Sequence, residues 1–255
     1  MNNLLNIRTP AEAQAEELKS DFGLENIGLK NQRVTYWNLP AESLYEEIIF
    51  RSEGSLSKSG PILVNTGKHT ARAANDKFIV KEPGSQSHVW WGEYNRPFEA
   101  EKFEELYARL QGYLQGRDLF IQDCFGGADT NYQLPVRIIS EYAWHSLFAR
   151  NMFILPKTNE EYRRHVPQFT VISAPFFQAF PSIDGSASKT FIVVNFEQVL
   201  CIIGNTAYGV EIKKSIFTVL IYLLPLECIM TMHCSANLGD EGDVALFFGL
   251  SGTGK

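Results

Sequence analysis

The chain has 255 residues, a formal net charge of −6, 45% hydrophobic and 20% charged residues. These are the proportions of a globular protein long enough to bury a core in one large or two ordinary domains. The acidic balance weighs against broad electrostatic binding to nucleic acid or acidic lipid. No apolar signal-peptide segment opens the chain, and the longest apolar run, residues 216–226, falls far short of the ~20 residues of a membrane span. Cys124, Cys201, Cys228 and Cys234 have neither CxxC nor finger spacing and read as buried free thiols. A soluble, cytoplasmic protein with no nucleic-acid or membrane partner is the expectation.

In chain order, Thr9 caps a first helix, with Pro10 at its first position and Glu12 completing a capping box. A second helix follows Pro40, with Leu44, Ile48 and Ile49 on one face. Residues 60–80 read as strand, glycine-containing loop and strand, the second strand being 77–80. The clearest helix spans 97–114: Phe103, Leu106, Tyr107, Leu110, Tyr113 and Leu114 recur at helical spacing, and Gly116 ends it. Short apolar runs follow at 119–122, 136–140, 169–173, 191–195 and 199–203. A helix is predicted over 212–224, stopped near Pro225, then strands at 229–233 and 244–248. Apolar runs mixed with helices predict an α/β protein with a mixed sheet. Residues 225–227 are the candidate domain boundary. Trp90-Trp91 and Phe176-Phe177 read as packing residues, and His69, His88, His145 and His165 lack metal spacing and receive no role.

Directly after the strand at 244–248, Gly249-Leu250-Ser251-Gly252-Thr253-Gly254-Lys255 matches G-x-x-x-x-G-K. Glycines let successive backbone N–H groups turn toward phosphate oxygens, and the lysine adds charge at the β- and γ-phosphates. The pattern calls next for Ser or Thr, to hold Mg²⁺ at the start of an anion-binding helix. The sequence stops at Lys255, and the expectation is a fragment cut inside a nucleotide-binding loop.

Three more segments narrow the reading. Residues 204–217, G-N-T-A-Y-G-V-E-I-K-K-S-I-F, resemble the G-G-T-x-Y-x-G-E-x-K-K-G-x-F motif of ATP-dependent phosphoenolpyruvate carboxykinases. Residues 232–237 resemble that family's M-H-C-S-A-N, and Thr66-Gly67-Lys68-His69-Thr70-Ala71-Arg72, followed by Asp76-Lys77, resembles its T-G-x-x-T-x-R…D-K substrate loop. With the phosphate loop these make four ordered matches from about residue 63 to the end. Asn205, Val210 and Ser215 stand where glycines are usual, and Ala73-Ala74-Asn75 replaces a more typical S-P-K.

The resemblance implies a substrate-binding carboxykinase domain with a mixed sheet over residues 1–227, and the first strands and cut P-loop of a nucleotide-binding domain over 228–255. It implies a gluconeogenic lyase that turns oxaloacetate and ATP into phosphoenolpyruvate, ADP and CO₂, with Mn²⁺ and Mg²⁺ as metals. Arg72 would grip a substrate carboxylate bidentately, and Tyr208 would line the carboxylate and CO₂ pocket. Lys213 would approach substrate or phosphates as a cation. Lys214 and His233 would be protein ligands of Mn²⁺, Lys214 also touching substrate. Gly249, Leu250, Ser251, Gly252, Thr253, Gly254 and Lys255 would hold the triphosphate, with Ser251 near the transferring group. The family's aspartate metal ligand, phosphate-binding arginine and adenine pocket would lie beyond residue 255, so the fragment alone is expected to be inactive. The alternatives are another P-loop small-molecule kinase, a GTP-using carboxykinase, and a nucleotide-binding module without catalysis. The loop sequence favours the ATP class over the GTP class.

Overall fold

The computed structural model of the protein describes residues 18–249 and Thr253; the helix expected at Thr9 lies outside them. Chain order begins with strand β1 (Val34–Trp37), helix α1 (Ala41–Phe50), β2 (Gly54–Leu56), β3 (Ile62–Val64), β4 (Lys77–Lys81), β5 (Arg96–Glu99) and α2 (Ala100–Leu114). It continues with β6 (Asp118–Gly126), β7 (Leu134–Ser140), α3 (Ala143–Met152), α4 (Asn159–Arg163), β8 (Phe169–Ala174) and α5 (Pro181–Asp184). Then come β9 (Phe191–Asn195), β10 (Leu200–Gly204), α6 (Val210–Leu226), β11 (Cys234–Leu238) and β12 (Val244–Phe248). Eight strands form one mixed sheet in the order β1-β6-β7-β8-β10-β9-β4-β5, while β2-β3 and β11-β12 are separate two-stranded sheets. The predicted α/β class with a mixed sheet is the architecture observed.

The central strands are apolar throughout because both faces of the sheet are covered. In β9, Phe191 and Val193 face one core while Ile192 and Val194 face the other. β10 alternates likewise, Leu200 and Ile202 against Cys201 and Ile203. Helix α2 closes the first core with Phe103, Leu106, Leu110 and Leu114, all fully buried. Burying each such side chain contributes about 1.5–3 kcal/mol. Helix α6 closes the second with Ile212, Ile216 and Val219, spaced for one helical face. A third, smaller core packs α1 (Leu44, Ile48) and α3 (Ala143, Trp144, Leu147) over Tyr36 and Phe120.

Several expectations need correction. The helix predicted from residue 97 begins at Ala100, and Pro97 lies in β5. That strand is the last of the sheet, where a residue without an N–H is tolerated. Ile49, expected beside Leu44 and Ile48, is 43% exposed, and Trp90, expected to pack, is 90% exposed. Phe176 is exposed while Phe177 is buried. Cys124 and Cys201 are buried free thiols as expected, but Cys228 is exposed and Cys234 half-buried. Residues 229–233 form no strand; the strand begins at Cys234. Pro225 does not stop α6 but sits within its last turn. Among the described residues, no helix is long and apolar enough to cross a membrane.

Candidate functional site

The site is built around the first turn of α6. Strand β10 ends at Gly204, where a side chain would overlap the Phe191 ring on the neighbouring strand. Asn205 then turns the chain in the left-handed region, φ 56°, which asparagine tolerates better than most residues. Val210, also at a usual glycine position, starts the helix, so the demand for left-handed backbone falls on Asn205. The Tyr208 N–H donates to Thr206 Oγ1 (3.2 Å), and a Cβ on Gly209 would lie 2.9 Å from the Trp144 ring. Tyr208 is thereby presented, half-buried, where α6 begins.

His145 holds this turn from below. Its Nε2 lies 2.9 Å from the Ala207 carbonyl and its Nδ1 2.8 Å from Ser140 Oγ. A carbonyl only accepts, so the ring proton sits on Nε2 and Nδ1 accepts from the hydroxyl. Burial brings the His145 pKa down to about 4, against an opposing effect of the Ala207 carbonyl. The unfolded chain takes up this proton near 6.5. The stability gained from a neutral His145 is therefore complete above that pH and is lost as pH falls toward about 4. NMR of the imidazole ring protons should show His145 still neutral at pH 5.5; titration near 6.5 would mean the Ala207 contact is not closed to water.

The Thr66–Arg72 loop approaches the same turn. Asn65 Oδ1 accepts from the Gly67 N–H (2.8 Å), and His69 Nε2 shares a 3.0 Å hydrogen bond with Thr190 Oγ1. A cavity of about 580 Å³ opens between this loop, Glu53, Tyr142, Phe176 and residues 205–207. Arg72 comes within 3.7 Å of Glu211 on α6 (Nε to Oε2), and the Ala73 N–H donates to Glu211 Oε1 (2.7 Å). Lys77 donates to Thr218 Oγ1 (2.8 Å), which in turn donates to the Lys214 carbonyl (2.9 Å). Burial, then the nearby charges of Arg72 and Lys214, push the Lys77 ammonium below its usual pKa, with Cys201 and Glu211 opposing.

Glu211, Lys214 and Thr218 occupy one stripe of α6, at i, i+3 and i+7. Lys214 Nζ lies 3.3 Å from His233 Nε2 and 4.8 Å from the centre of the Phe217 ring. That ring also packs on His233, 5.3 Å between centroids. Lys213 is about 100° round the helix from Lys214 and shares none of these contacts among the described residues. The fold therefore gathers Arg72, Lys214 and His233 with the first turn that bears Tyr208, and does not bring Lys213 into the cluster.

Of the phosphate loop, Gly249 and Thr253 are described: a Cβ on Gly249 would lie 2.9 Å from Thr253 Oγ1, a close return of the chain. Leu250, Ser251, Gly252, Gly254 and Lys255 lie outside the described residues. Among the described residues, no cluster of three His, Cys, Asp or Glu side chains could hold a metal. His233 lies one residue before β11, which begins at Cys234.

Sequence reasoning gave no role to Lys77, Glu211 or His145. The first two stood inside quoted motifs, which was their signal; His145 had none.

Residues 33–255 match the family model of phosphoenolpyruvate carboxykinase, and the chain belongs to that family. Among similar curated proteins are those named phosphoenolpyruvate carboxykinase (ATP) from Geotalea uraniireducens and Thermus thermophilus. The first is 58% identical over 234 residues, 91% of this chain and 44% of the relative. The second is 49% identical over 235 residues, with the same two shares. A third, from Caldanaerobacter subterraneus, is 54% identical over 92% of this chain and 44% of its own length. The chain thus spans under half the length of these relatives.

Proposed function

We propose that this chain is the substrate-binding part of an ATP-dependent phosphoenolpyruvate carboxykinase. Residues 1–227 would form its substrate domain and 228–255 the start of its nucleotide-binding domain. The complete protein would convert oxaloacetate and ATP to phosphoenolpyruvate, ADP and CO₂, and the chain alone would be inactive. The observation that carries this reading is the meeting of Lys214 Nζ with His233 Nε2 at 3.3 Å, beside the Arg72 loop fastened to Glu211.

Decarboxylation of oxaloacetate leaves an enolate, which attacks the γ-phosphorus of ATP. Arg72 would bind a carboxylate of oxaloacetate with its planar fork. The Tyr208 hydroxyl would donate to the same substrate as it loses CO₂. Lys213 would add positive charge near the phosphates, and Ser251 and Lys255 would contact the triphosphate within the loop 249–255. A divalent cation, Mn²⁺ or Mg²⁺, would supply charge stabilisation of the enolate and phosphates. Lys214 and His233, whose nitrogens already meet, would hold such an ion, a pair better suited to Mn²⁺ than to the oxygen-preferring Mg²⁺.

Lys214 can bind a cation only as a neutral amine, and a dication beside it favours loss of the proton. Arginine at this position stays protonated. Altering even a group that merely supports a ligand weakens metal binding about 10–100-fold, so Lys214→Arg should weaken Mn²⁺ binding by the complete protein on the order of a hundredfold. Electron paramagnetic resonance titration measures this. Wild-type affinity in the variant would remove Lys214 from the ligand set.

A further inference from the structure

Two ionisable residues of the quoted motifs that have no role in that reading tie the substrate loop to α6, Lys77 and Glu211. The fold brings their segments together although 138 residues separate Ala73 from Glu211. Glu211 is 2% exposed. One carboxylate oxygen accepts the Ala73 N–H at 2.7 Å and the other faces Arg72 Nε at 3.7 Å. Two turns further along the same helix face, Thr218 accepts from Lys77. The segment 73–77 is thus tied to α6 at both ends of a short span, once by a backbone amide and once by a half-buried ammonium.

The two contacts of Glu211 differ in strength. A 2.7 Å hydrogen bond from a backbone amide to a buried carboxylate is short and charge-assisted. The Arg72 contact is longer, and the Arg72 side chain is 37% exposed, so solvent screens it. The anchor for the loop is the amide, one peptide unit from the Arg72 Cα.

We propose that Glu211 is a positioning residue: by holding the Ala73 amide it sets Arg72 against the α6 start that carries Tyr208 and Lys214. Charge strengthens the amide bond, and reach decides whether it can form at all. The proposal rests on the carboxykinase reading for its kinetic consequence, but the clamp itself does not depend on that reading.

Two conservative variants separate the alternatives. Glu211→Gln keeps the carbonyl oxygen and the chain length but loses the charge; Glu211→Asp keeps the charge but is one methylene too short. Hydrogen exchange at Ala73, measured on the full chain, should accelerate no more than about threefold in Glu211→Gln, which keeps a neutral acceptor, and at least about tenfold in Glu211→Asp. In the complete protein, Glu211→Asp should raise the KM for oxaloacetate about tenfold with the KM for ATP unchanged, and Glu211→Gln should restore it. The opposite order, Gln impaired and Asp intact, would overturn the proposal in favour of charge balance. Unchanged Ala73 exchange in both variants would also overturn it. A complete wild-type protein that makes no phosphoenolpyruvate would defeat the functional reading instead, leaving Ala73 exchange to decide the clamp.

Discussion

Asp123→Ala should cost the chain about 3–5 kcal/mol of stability in urea unfolding, a large share of the roughly 5–15 kcal/mol that holds a typical domain together. Asp123 and Arg137 lie on adjacent antiparallel strands, β6 and β7, opposite one another in register. Both are essentially without solvent contact. The pair is bidentate, 2.6 Å from Arg137 Nε and 3.1 Å from the second nitrogen to the two carboxylate oxygens. The guanidinium also donates to the Phe22 carbonyl at 2.5 Å and lies 4.7 Å from the Trp37 ring centre. Asn38 Nδ2 donates to the same carboxylate at 3.3 Å. Removing the carboxylate leaves a charged guanidinium in the interior with only dipoles to answer it, and that uncompensated charge dominates the loss. The double variant Asp123→Leu with Arg137→Met removes both charges together and should recover most of the stability. If the double variant were as unstable as the single one, packing rather than stranded charge would be responsible.

That network also shows why part of the fold was not legible from sequence. The strands at 136–140, 169–173 and 191–195 stood out because they are buried on both faces and so read as predominantly apolar runs, broken by few polar residues such as Arg137. Strand β1 ends the sheet and is only four residues long, and β5 is bounded by Arg96 and Glu99. Neither shows a buried alternation. Helix α3 buries His145 and Ser146 as well as Trp144 and Leu147, so it has no polar face to produce a helical stripe. The strand expected at 229–233 followed apolar composition, whereas the observed strand, Cys-Ser-Ala-Asn-Leu, has little of it and is held by pairing with β12.

The candidate site divides the same way. Arg72, Tyr208, Lys214 and His233 were legible because their motifs are local. The tie between Ala73 and Glu211 was not, because nothing in the spacing of either segment specifies a partner 138 residues away. Pro97 is the instructive failure: a proline suits the first turn of a helix and the outermost strand of a sheet for the same reason, the missing N–H. Only tertiary structure decides between the two.

Arg72→Lys, in the complete protein, should raise the KM for oxaloacetate ten- to a hundredfold while the KM for ATP changes little. A hydrogen bond to a charged group contributes about 1.5–3 kcal/mol, and lysine cannot supply the second arm of a bidentate contact with a carboxylate. The geometry makes the distinction sharp. With Arg72 Nε turned toward Glu211 Oε2 at 3.7 Å, the Nη edge of the fork is the part left to face a substrate carboxylate. A lysine ammonium is a single point and would have to choose between Glu211 and the ligand. Because the Ala73 amide is held independently of the Arg72 side chain, the loop itself should stay in place, and Ala73 exchange should match wild type. Equal increases in both KM values, or faster Ala73 exchange, would mean that Arg72 supports the loop rather than gripping the substrate.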